Sequence, residues 1–247
     1  MKTVFINCSP KKKFCASAYF LALQRLFIGG KKVNEKLRTP ADYARILDQI
    51  KDAQTVVFGV PLYVDGVPSH VLRFMEEMEA FCRENDLHLS IYCVANNGFI
   101  EGKQNEPLMQ IFEHFCSRAG LTWGGGVSIG GGMMLNVTRI LFMVDIALLL
   151  LNTVLSVINS GNFFPKGAWI SFGENAALLL YFNLGVLFFL ARMGSHIRKG
   201  TFSGKKYTRI LIPSFIFILF ADIFFVIISL FEGGLFRGWL AKKEVEA

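Results

Sequence analysis

Charged residues are scarce in this sequence. They make up 18% of the 247 residues, whereas hydrophobic residues make up 53%, and an average soluble domain contains about 25% charged residues. The surplus of apolar residues excludes intrinsic disorder, because a disordered chain lacks the apolar surface needed to form a core. It is also too large for a single cytosolic domain, so we expect part of the chain to lie in another environment.

Cysteines are few and widely spaced. Five in the whole chain are too few for a secreted module that is stabilised by disulfides. No pair has the close spacing that zinc or iron–sulfur ligation requires, so we predict no metal site and free thiols in a reducing compartment. The five are Cys8, Cys15, Cys82, Cys93 and Cys116.

Several targeting and nucleotide-binding motifs are absent. The sequence has neither the G-x-x-x-x-G-K-[ST] nor the G-x-G-x-x-G pattern. Its first residues lack the long apolar run of a signal peptide, so we expect the N-terminal part to be cytoplasmic. The net charge is +7, of which residues 1–132 carry +2 and residues 133–247 carry +5. Most of the excess positive charge thus lies in the apolar part. We interpret this charge as a signal that orients the chain in a membrane, and we predict no nucleic-acid partner.

The first 132 residues alternate strand-like runs with helical segments, which predicts an α/β domain with a parallel sheet. Five strands in about 130 residues are typical of a doubly wound sheet of order 2-1-3-4-5, with helices on both faces. The predicted strands are residues 3–7, 33–37, 55–60, 87–95 and 121–129.

Ligands of such sheets bind at the carboxyl ends of the strands, and three loops lie there. In the loop 9–18, two serine hydroxyls, Lys11 and a helix N-terminus suit a phosphate, although a solvated basic connector would look the same. In the loop 61–68, Tyr63 can stack on a planar ligand or be a surface side chain of a turn. In the loop 96–99, amides and the backbone at Gly98 can bind the edge of a heterocycle, although Asn-Gly is also a common turn.

Two of these loops carry a family resemblance. Residues 5–11 (FINCSPK), followed by Ser17, resemble the phosphate loop of the NADPH-dependent FMN reductase and flavodoxin-like family. Residues 60–69 (VPLYVDGVPS) resemble the loop of that family that contacts the isoalloxazine ring. The resemblance covers about residues 2–130, and the sequence departs from it in having Cys8 in place of a small glycine and only Gly98 in place of a double glycine.

The resemblance implies a flavodoxin-like fold, FMN as cofactor, NAD(P)H as co-substrate and a homodimer. It implies no catalytic side chain, because the flavin carries the chemistry. It assigns the FMN phosphate to Ser9, Lys11, Ser17 and Ala18, the ring to Pro61, Leu62, Tyr63 and Val64, and the other ring edge to Asn96, Asn97, Gly98 and Phe99.

The remaining residues, 133–247, contain three apolar runs. They cover residues 140–158, 176–191 and 210–231, and about 20 apolar residues span the hydrocarbon core of a bilayer. A soluble helical extension is the alternative, but it would normally carry a polar stripe. We therefore predict three transmembrane helices after the flavodoxin-like domain of residues 1–132.

The basic residues of this part predict its orientation. Between the second and third runs the chain carries a cluster of positive charges, which by the positive-inside rule places that loop and the N-terminal domain in the cytoplasm and the C-terminus outside. Asp145 and Asp222 fall within predicted spans, either as functional carboxylates or as protonated, packed carboxyl groups. The cluster consists of Arg192, Arg198, Lys199, Lys205, Lys206 and Arg209.

The sequence thus predicts a multi-pass protein of the cell membrane. The leading hypothesis is a membrane-tethered flavin oxidoreductase that transfers hydride or electrons from NAD(P)H to a quinone or another small molecule. The alternative hypothesis is a non-enzymatic membrane protein whose flavodoxin-like domain is a binding or regulatory module.

Overall fold

A parallel sheet forms the centre of the α/β part of the molecule. The computed structural model describes residues 1–231, and in this range the sheet has six strands in the order β2-β1-β3-β4-β5-β6, with every neighbouring pair parallel. The first five strands have the predicted order. The strands are β1 Lys2–Asn7, β2 Lys31–Lys36, β3 Thr55–Pro61, β4 Ser90–Asn96, β5 Thr122–Ile129 and β6 Lys205–Tyr207.

Helices connect the strands and cover both faces of the sheet. Short 3₁₀ turns at Pro40–Asp42 and Gly102–Asn105 precede two of them. The helices are α1 Ala16–Leu26, α2 Tyr43–Ile50, α3 Ser69–Glu84, α4 Glu106–Ala119, α5 Gly132–Ser160, α6 Lys166–Lys199 and α7 Ser214–Phe231.

The main core lies between the sheet and helices α2, α3 and α4. The central strand β3 is buried along almost its whole length, as its unbroken apolar sequence predicts. Its Phe58 packs against Phe112 of α4 at 5.1 Å and Phe74 of α3 at 6.5 Å between ring centroids. These aromatic contacts join three elements that are distant in sequence.

The opposite face of the sheet is covered by α1 and by the second half of α6. The residues that α6 buries recur at helical spacing and form one face: Asn183, Val186, Leu190, Met193 and Ile197. Near one end of this contact the Tyr19 hydroxyl donates to Asn183 Oδ1 at 3.0 Å, and near the other end Gly194 lies against Phe27. Residues far beyond 132 therefore complete the packing of the sheet.

The prediction of five strands is wrong by one strand. Strand β6 pairs with residues 126–128 of β5 and comes from the loop that the charge pattern assigned to the cytoplasm. Lys205 forms ion pairs with Glu106 at 3.1 Å and Glu113 at 2.6 Å, and Arg209 pairs with Glu101 at 3.1 Å. Part of the positive charge of this loop is therefore used to fix an edge strand, where lysines are common because they discourage further pairing.

Between β5 and the packed half of α6, the chain forms a projecting helical hairpin. Helix α5 has 29 residues and is about 43 Å long at 1.5 Å per residue. The arms pack antiparallel, with Phe142 stacked on Phe172 at 5.3 Å, and their outward side chains are largely apolar and exposed. By length and composition alone, α5 and α6 could each cross a membrane.

The third predicted span begins later than expected. Ile210, its first residue, is buried, and its N–H donates to the carbonyl of Ile100 at 3.1 Å, so it belongs to the compact unit Met1–Ile210. A second unit begins at Leu211, and its helix α7 starts directly after Pro213. Within residues 1–231, α5 and α6 are the two candidate spans by length and composition, so the count of three is not confirmed. The predicted side of the C-terminus concerns residues that lie outside this range.

Candidate functional site

A cavity of about 190 Å³ opens where the strands of the sheet end. The three loops singled out in the sequence meet there with the first turn of α5. Among the predicted site residues, Ala18, Val64 and Phe99 do not line it. The lining residues are Ser9, Lys11, Phe14, Cys15, Ala16, Ser17, Pro61, Leu62, Tyr63, Asn96, Asn97, Gly98, Met133 and Asn136.

The first loop presents Ser9 and Lys11 beside the start of α1. Its shape is fixed by local hydrogen bonds, because the Ser9 N–H donates to Asn7 Oδ1 at 3.1 Å and the Lys11 N–H donates to Ser9 Oγ at 3.4 Å. Helix α1 begins at Ala16 with no side-chain cap. The first N–H groups of a helix have no partner within it and carry its positive dipole end. This corner of the cavity is therefore suited to an anion such as a phosphate.

Asn96 at the end of β4 ties this corner to the rest of the cavity. Its side-chain Nδ2 donates to Ser17 Oγ at 2.9 Å and to the carbonyl of Val60 at 3.2 Å, while its backbone carbonyl accepts from the Leu62 N–H at 2.8 Å. Asn96 thus links α1, β3 and the second loop. Because its side chain is buried, Asn96 holds the neighbouring residues of the cavity wall in position.

The second loop is a tight turn that presents an aromatic ring. Tyr63 and Gly66 exchange both backbone hydrogen bonds, at 3.1 and 2.9 Å, and Val64 and Asp65 between them have φ of 44° and 56°. Two left-handed central residues define a type I′ turn. Val64 lies at its tip, 99% exposed, whereas Tyr63 lines the cavity with its side chain 42% exposed. Tyr63 therefore offers a wall on which a planar ligand can pack.

The third loop is held together by Asn97. The Asn97 side chain accepts from the Phe99 N–H and donates to the carbonyl of Glu101, both at 3.1 Å, so its polar atoms are engaged within the loop. Phe99 is 53% exposed and does not line the cavity. At Gly98, by contrast, an added Cβ would meet no atom within 4 Å. The open backbone at Gly98 is therefore the part of this loop best placed to approach a ligand.

Sequence reasoning missed the wall that α5 contributes. Asn136 donates from Nδ2 to the carbonyl of Phe14 at 2.8 Å, and its Oδ1 is buried without a hydrogen-bond partner among the described residues. A buried acceptor without a partner is uncommon in a folded protein. Because Asn136 lines the cavity, its Oδ1 is suited to a donor group of a ligand, such as a ring N–H.

One turn further along α5, Arg139 contacts α1. Its guanidinium lies over the Tyr19 ring, 4.9 Å from the centroid, in a cation–π arrangement. Burial raises the pKa of Tyr19 above its usual value, and the charge of Arg139 opposes that rise. Tyr19 therefore remains a neutral hydroxyl that donates to Asn183 and joins α1 to both arms of the hairpin.

The cysteines and histidines of the described residues have structural surroundings. All five cysteines are free and buried, and burial raises the pKa of the Cys8 thiol far above its ordinary value. His70 contacts the carbonyl of Cys8 through Nε2 at 3.1 Å, which is a structural role. Within residues 1–231, no group of three histidine, cysteine or acidic side chains could hold a metal ion.

A second cavity, of about 480 Å³, lies between the arms of the hairpin. Asp145 and Asn152 of α5 face it together with Lys166 and Ser171 of α6. Asp145 Oδ2 has no hydrogen-bond partner among the described residues. Asp145 is thus turned toward a polar strip between the arms, whereas Asp222 lies on α7.

The strand order 2-1-3-4-5 and a cavity at the carboxyl ends of the strands define a flavodoxin-like α/β protein. Similar solved structures include a Trp repressor binding protein from Bacillus subtilis, with 19% identity, 52% of this chain and 84% of that chain covered, and a TM-score of 0.44. An NADPH-quinone reductase from P. pentosaceus has 15% identity, 53% and 86% coverage and a TM-score of 0.45. An FMN-dependent NADH-azoreductase from Bacillus anthracis, in complex with FMN, has 14% identity, 53% and 88% coverage and a TM-score of 0.37. No protein-family model matches the chain, and no curated protein matches it.

Proposed function

We propose that this protein is a membrane-tethered flavin oxidoreductase that binds FMN in the cavity at the sheet edge and takes hydride or electrons from NAD(P)H. The observation that carries the proposal is the convergence of all three predicted loops on one cavity. An anion site, an aromatic wall and a buried unpaired acceptor lie around it, and these match the phosphate, the ring face and the polar ring edge of a flavin.

FMN supplies, when bound, a ring that accepts and releases hydride or electrons. The chain supplies binding and orientation. Lys11 and the first N–H groups of α1 hold the terminal phosphate, Tyr63 packs on the ring, and Asn136 Oδ1 accepts a hydrogen bond from the ring edge. Met133 lines the same wall as Asn136 and adds an apolar surface to it.

The membrane part of the proposal rests on the hairpin. In the most apolar 18 residues of α5 the mean hydropathy is 2.4 and only 6% of the residues are buried. A soluble protein rarely exposes a continuous apolar surface of this size. Because both arms return to the same α/β unit, insertion of the hairpin would tether that unit on one side of the bilayer, which we propose is the cytoplasmic side.

The experiment is a titration of the full-length protein in detergent with FMN, followed by flavin fluorescence and visible absorbance. We expect saturable binding that Lys11→Ala weakens by about tenfold, because a hydrogen bond to a charged group contributes about 1.5–3 kcal/mol when fully formed and less at an exposed site. Lys12→Ala is the matched control, since Lys12 does not line the cavity, and it should bind FMN like the unchanged protein. Failure of the unchanged protein to bind FMN would refute the proposal.

Turnover separates the enzyme from the alternative of a binding module. The FMN-loaded protein is mixed with NADH or NADPH and ferricyanide, and nicotinamide oxidation is followed by absorbance. Oxidation that depends on FMN and falls in Lys11→Ala supports an oxidoreductase. Tight FMN binding without oxidation of either nicotinamide would favour the non-enzymatic module.

A further inference from the structure

Both arms of the hairpin leave the α/β unit at the edge that holds the cavity. Helix α1 starts at the carboxyl end of β1, and its first turns contact both arms: Arg139 of α5 lies over Tyr19, and Asn183 of α6 accepts from the Tyr19 hydroxyl. The first turn of α5 itself lines the cavity. The hairpin therefore projects from the cavity edge of the sheet, and the other edge of the sheet lies farther from it.

The loop of residues 11–14 (KKKF) lies at the base of this hairpin. The hydrogen bond from Asn136 Nδ2 to the Phe14 carbonyl fixes the loop to α5 just before the exposed apolar part of that helix begins. Arg38 donates to the carbonyls of Lys11 and Lys12, at 2.8 and 3.1 Å, and holds the other side of the loop. The loop is thus a fixed feature beside the hairpin.

Only part of this loop faces the cavity. Lys11 and Phe14 line the cavity, whereas Lys12 and Lys13 do not, and all three lysines are exposed. Phe14 has a left-handed backbone, with φ of 51°, and its side chain is 62% exposed. Across the cavity mouth, the second loop adds the fully exposed Val64 and one acidic side chain, Asp65, so positive charge remains in excess around the mouth.

We propose that the 11–14 loop binds the headgroups of anionic phospholipids and seats the mouth of the cavity on the bilayer surface. The inference rests on the membrane insertion of the hairpin proposed above. Exposed lysines beside a membrane segment are attracted to anionic lipid, and an exposed aromatic side chain next to them suits the interface between headgroups and acyl chains. With the hairpin inserted, the loop lies where the polar headgroups begin.

The test places an environment-sensitive fluorophore on single introduced cysteines in the full-length protein. The native cysteines are all buried, so labelling is directed to the introduced thiol. A label at Lys13→Cys reports docking of the loop, and a label at Leu150→Cys, in the exposed middle of α5, reports insertion of the hairpin. The matched control is Lys51→Cys, which precedes β3 at the opposite edge of the sheet. Vesicles consist of phosphatidylcholine alone or of phosphatidylcholine with phosphatidylglycerol.

We expect a blue shift at position 150 in both kinds of vesicle and at position 13 only with phosphatidylglycerol, reversed by high salt. Adding Lys12→Gln to the labelled protein should lower the ratio of shifted to unshifted label at position 13 about fivefold. Position 51 should not respond.

Other outcomes overturn the proposal in distinguishable ways. A shift at position 150 with none at position 13 refutes headgroup docking and leaves tethering intact. No shift at position 150 refutes both. A shift at position 13 that appears equally in detergent and rises with protein concentration identifies a second copy of the chain as the occupant of this surface.

Discussion

Gly98 is a glycine of the cavity wall with open space above it. Because an added Cβ would meet no atom within 4 Å, a large side chain there should occupy the cavity without disturbing the fold. We expect Gly98→Leu to weaken FMN binding at least tenfold, measured by flavin fluorescence, because displacement of the ring removes much of its buried contact area.

Gly29 provides the matched control for this change. It also has no atom within 4 Å of an added Cβ, and it lies in the connection between α1 and β2, which leads to the opposite edge of the sheet. Gly29→Leu should leave both the thermal midpoint and FMN binding unchanged. Equal loss of binding in both variants would show that Gly98 does not mark the ligand position.

At the scale of single elements, the contact between α6 and α1 is set by Gly194. An added Cβ at Gly194 would lie 2.6 Å from Phe27 Cβ and 2.7 Å from the Phe27 carbonyl oxygen, whereas at Gly185 of the same helix it would meet nothing within 4 Å. Gly194→Ala should therefore lower the free energy of unfolding by about 1–3 kcal/mol through overpacking. Gly185→Ala should raise it by about 0.5–1 kcal/mol, because alanine favours the helix.

These two variants are compared by thermal or urea unfolding of the full-length protein in detergent. Opposite signs are the expected result, since both replacements are chemically identical and differ only in their surroundings. A stabilising effect of Gly194→Ala would contradict the close approach of α6 to α1.

Strand β6 should loosen in acid. Burial acts to raise the pKa of Glu106, but hydrogen bonds from Tyr207 and Lys205 outweigh it and hold this pKa below its usual value. A carboxylate with a lowered pKa stabilises the fold above its unfolded pKa, about 4.3, and this contribution is lost as the pH falls through the lower folded value. Hydrogen exchange at residues 205–207, corrected for the intrinsic pH effect, should therefore accelerate below about pH 4.

Glu106→Gln should show faster exchange of the same amides at neutral pH and a smaller further change in acid. Glu84→Gln, at an exposed position of α3, is the control and should behave like the unchanged protein. If Glu106→Gln left the exchange of β6 unaltered at both pH values, the ion pair would not be what fixes this strand.

An element could be predicted from the sequence where its residues follow a clear hydrophobic pattern. The first five strands were recognised because apolar runs such as 55–60 end at proline or polar residues, and the loops after them could be placed because parallel strands end at one edge. Strand β6 has only three residues, two of them lysine, so no hydrophobic periodicity marks it. Asn136 was missed because its neighbours in the chain are apolar and its partner, Phe14, is more than a hundred residues away.

At the scale of the whole molecule, the apolar hairpin makes a prediction about membrane association. Leu150 and Val154 are exposed near the middle of α5, and an aspartate at the centre of a span costs about 2.5–3.5 kcal/mol on the insertion scale. The double variant Leu150→Asp and Val154→Asp should lose most of its resistance to extraction from membranes by alkaline carbonate. Leu26→Asp with Leu72→Asp, on exposed positions of α1 and α3, should remain as resistant as the unchanged protein.

The path of the chain through this hairpin also sets an order of events during synthesis. The half of α6 that covers one face of the sheet, and strand β6 after it, follow the hairpin in sequence. Residues 1–131 therefore leave the ribosome first, with that face of the sheet uncovered and the edge of β5 unpaired, and exposed apolar surface of this kind is prone to aggregate. The apolar arms emerge before the residues that close the sheet. With the hairpin inserted as proposed, delivery of the nascent chain to the membrane would therefore precede completion of the α/β fold.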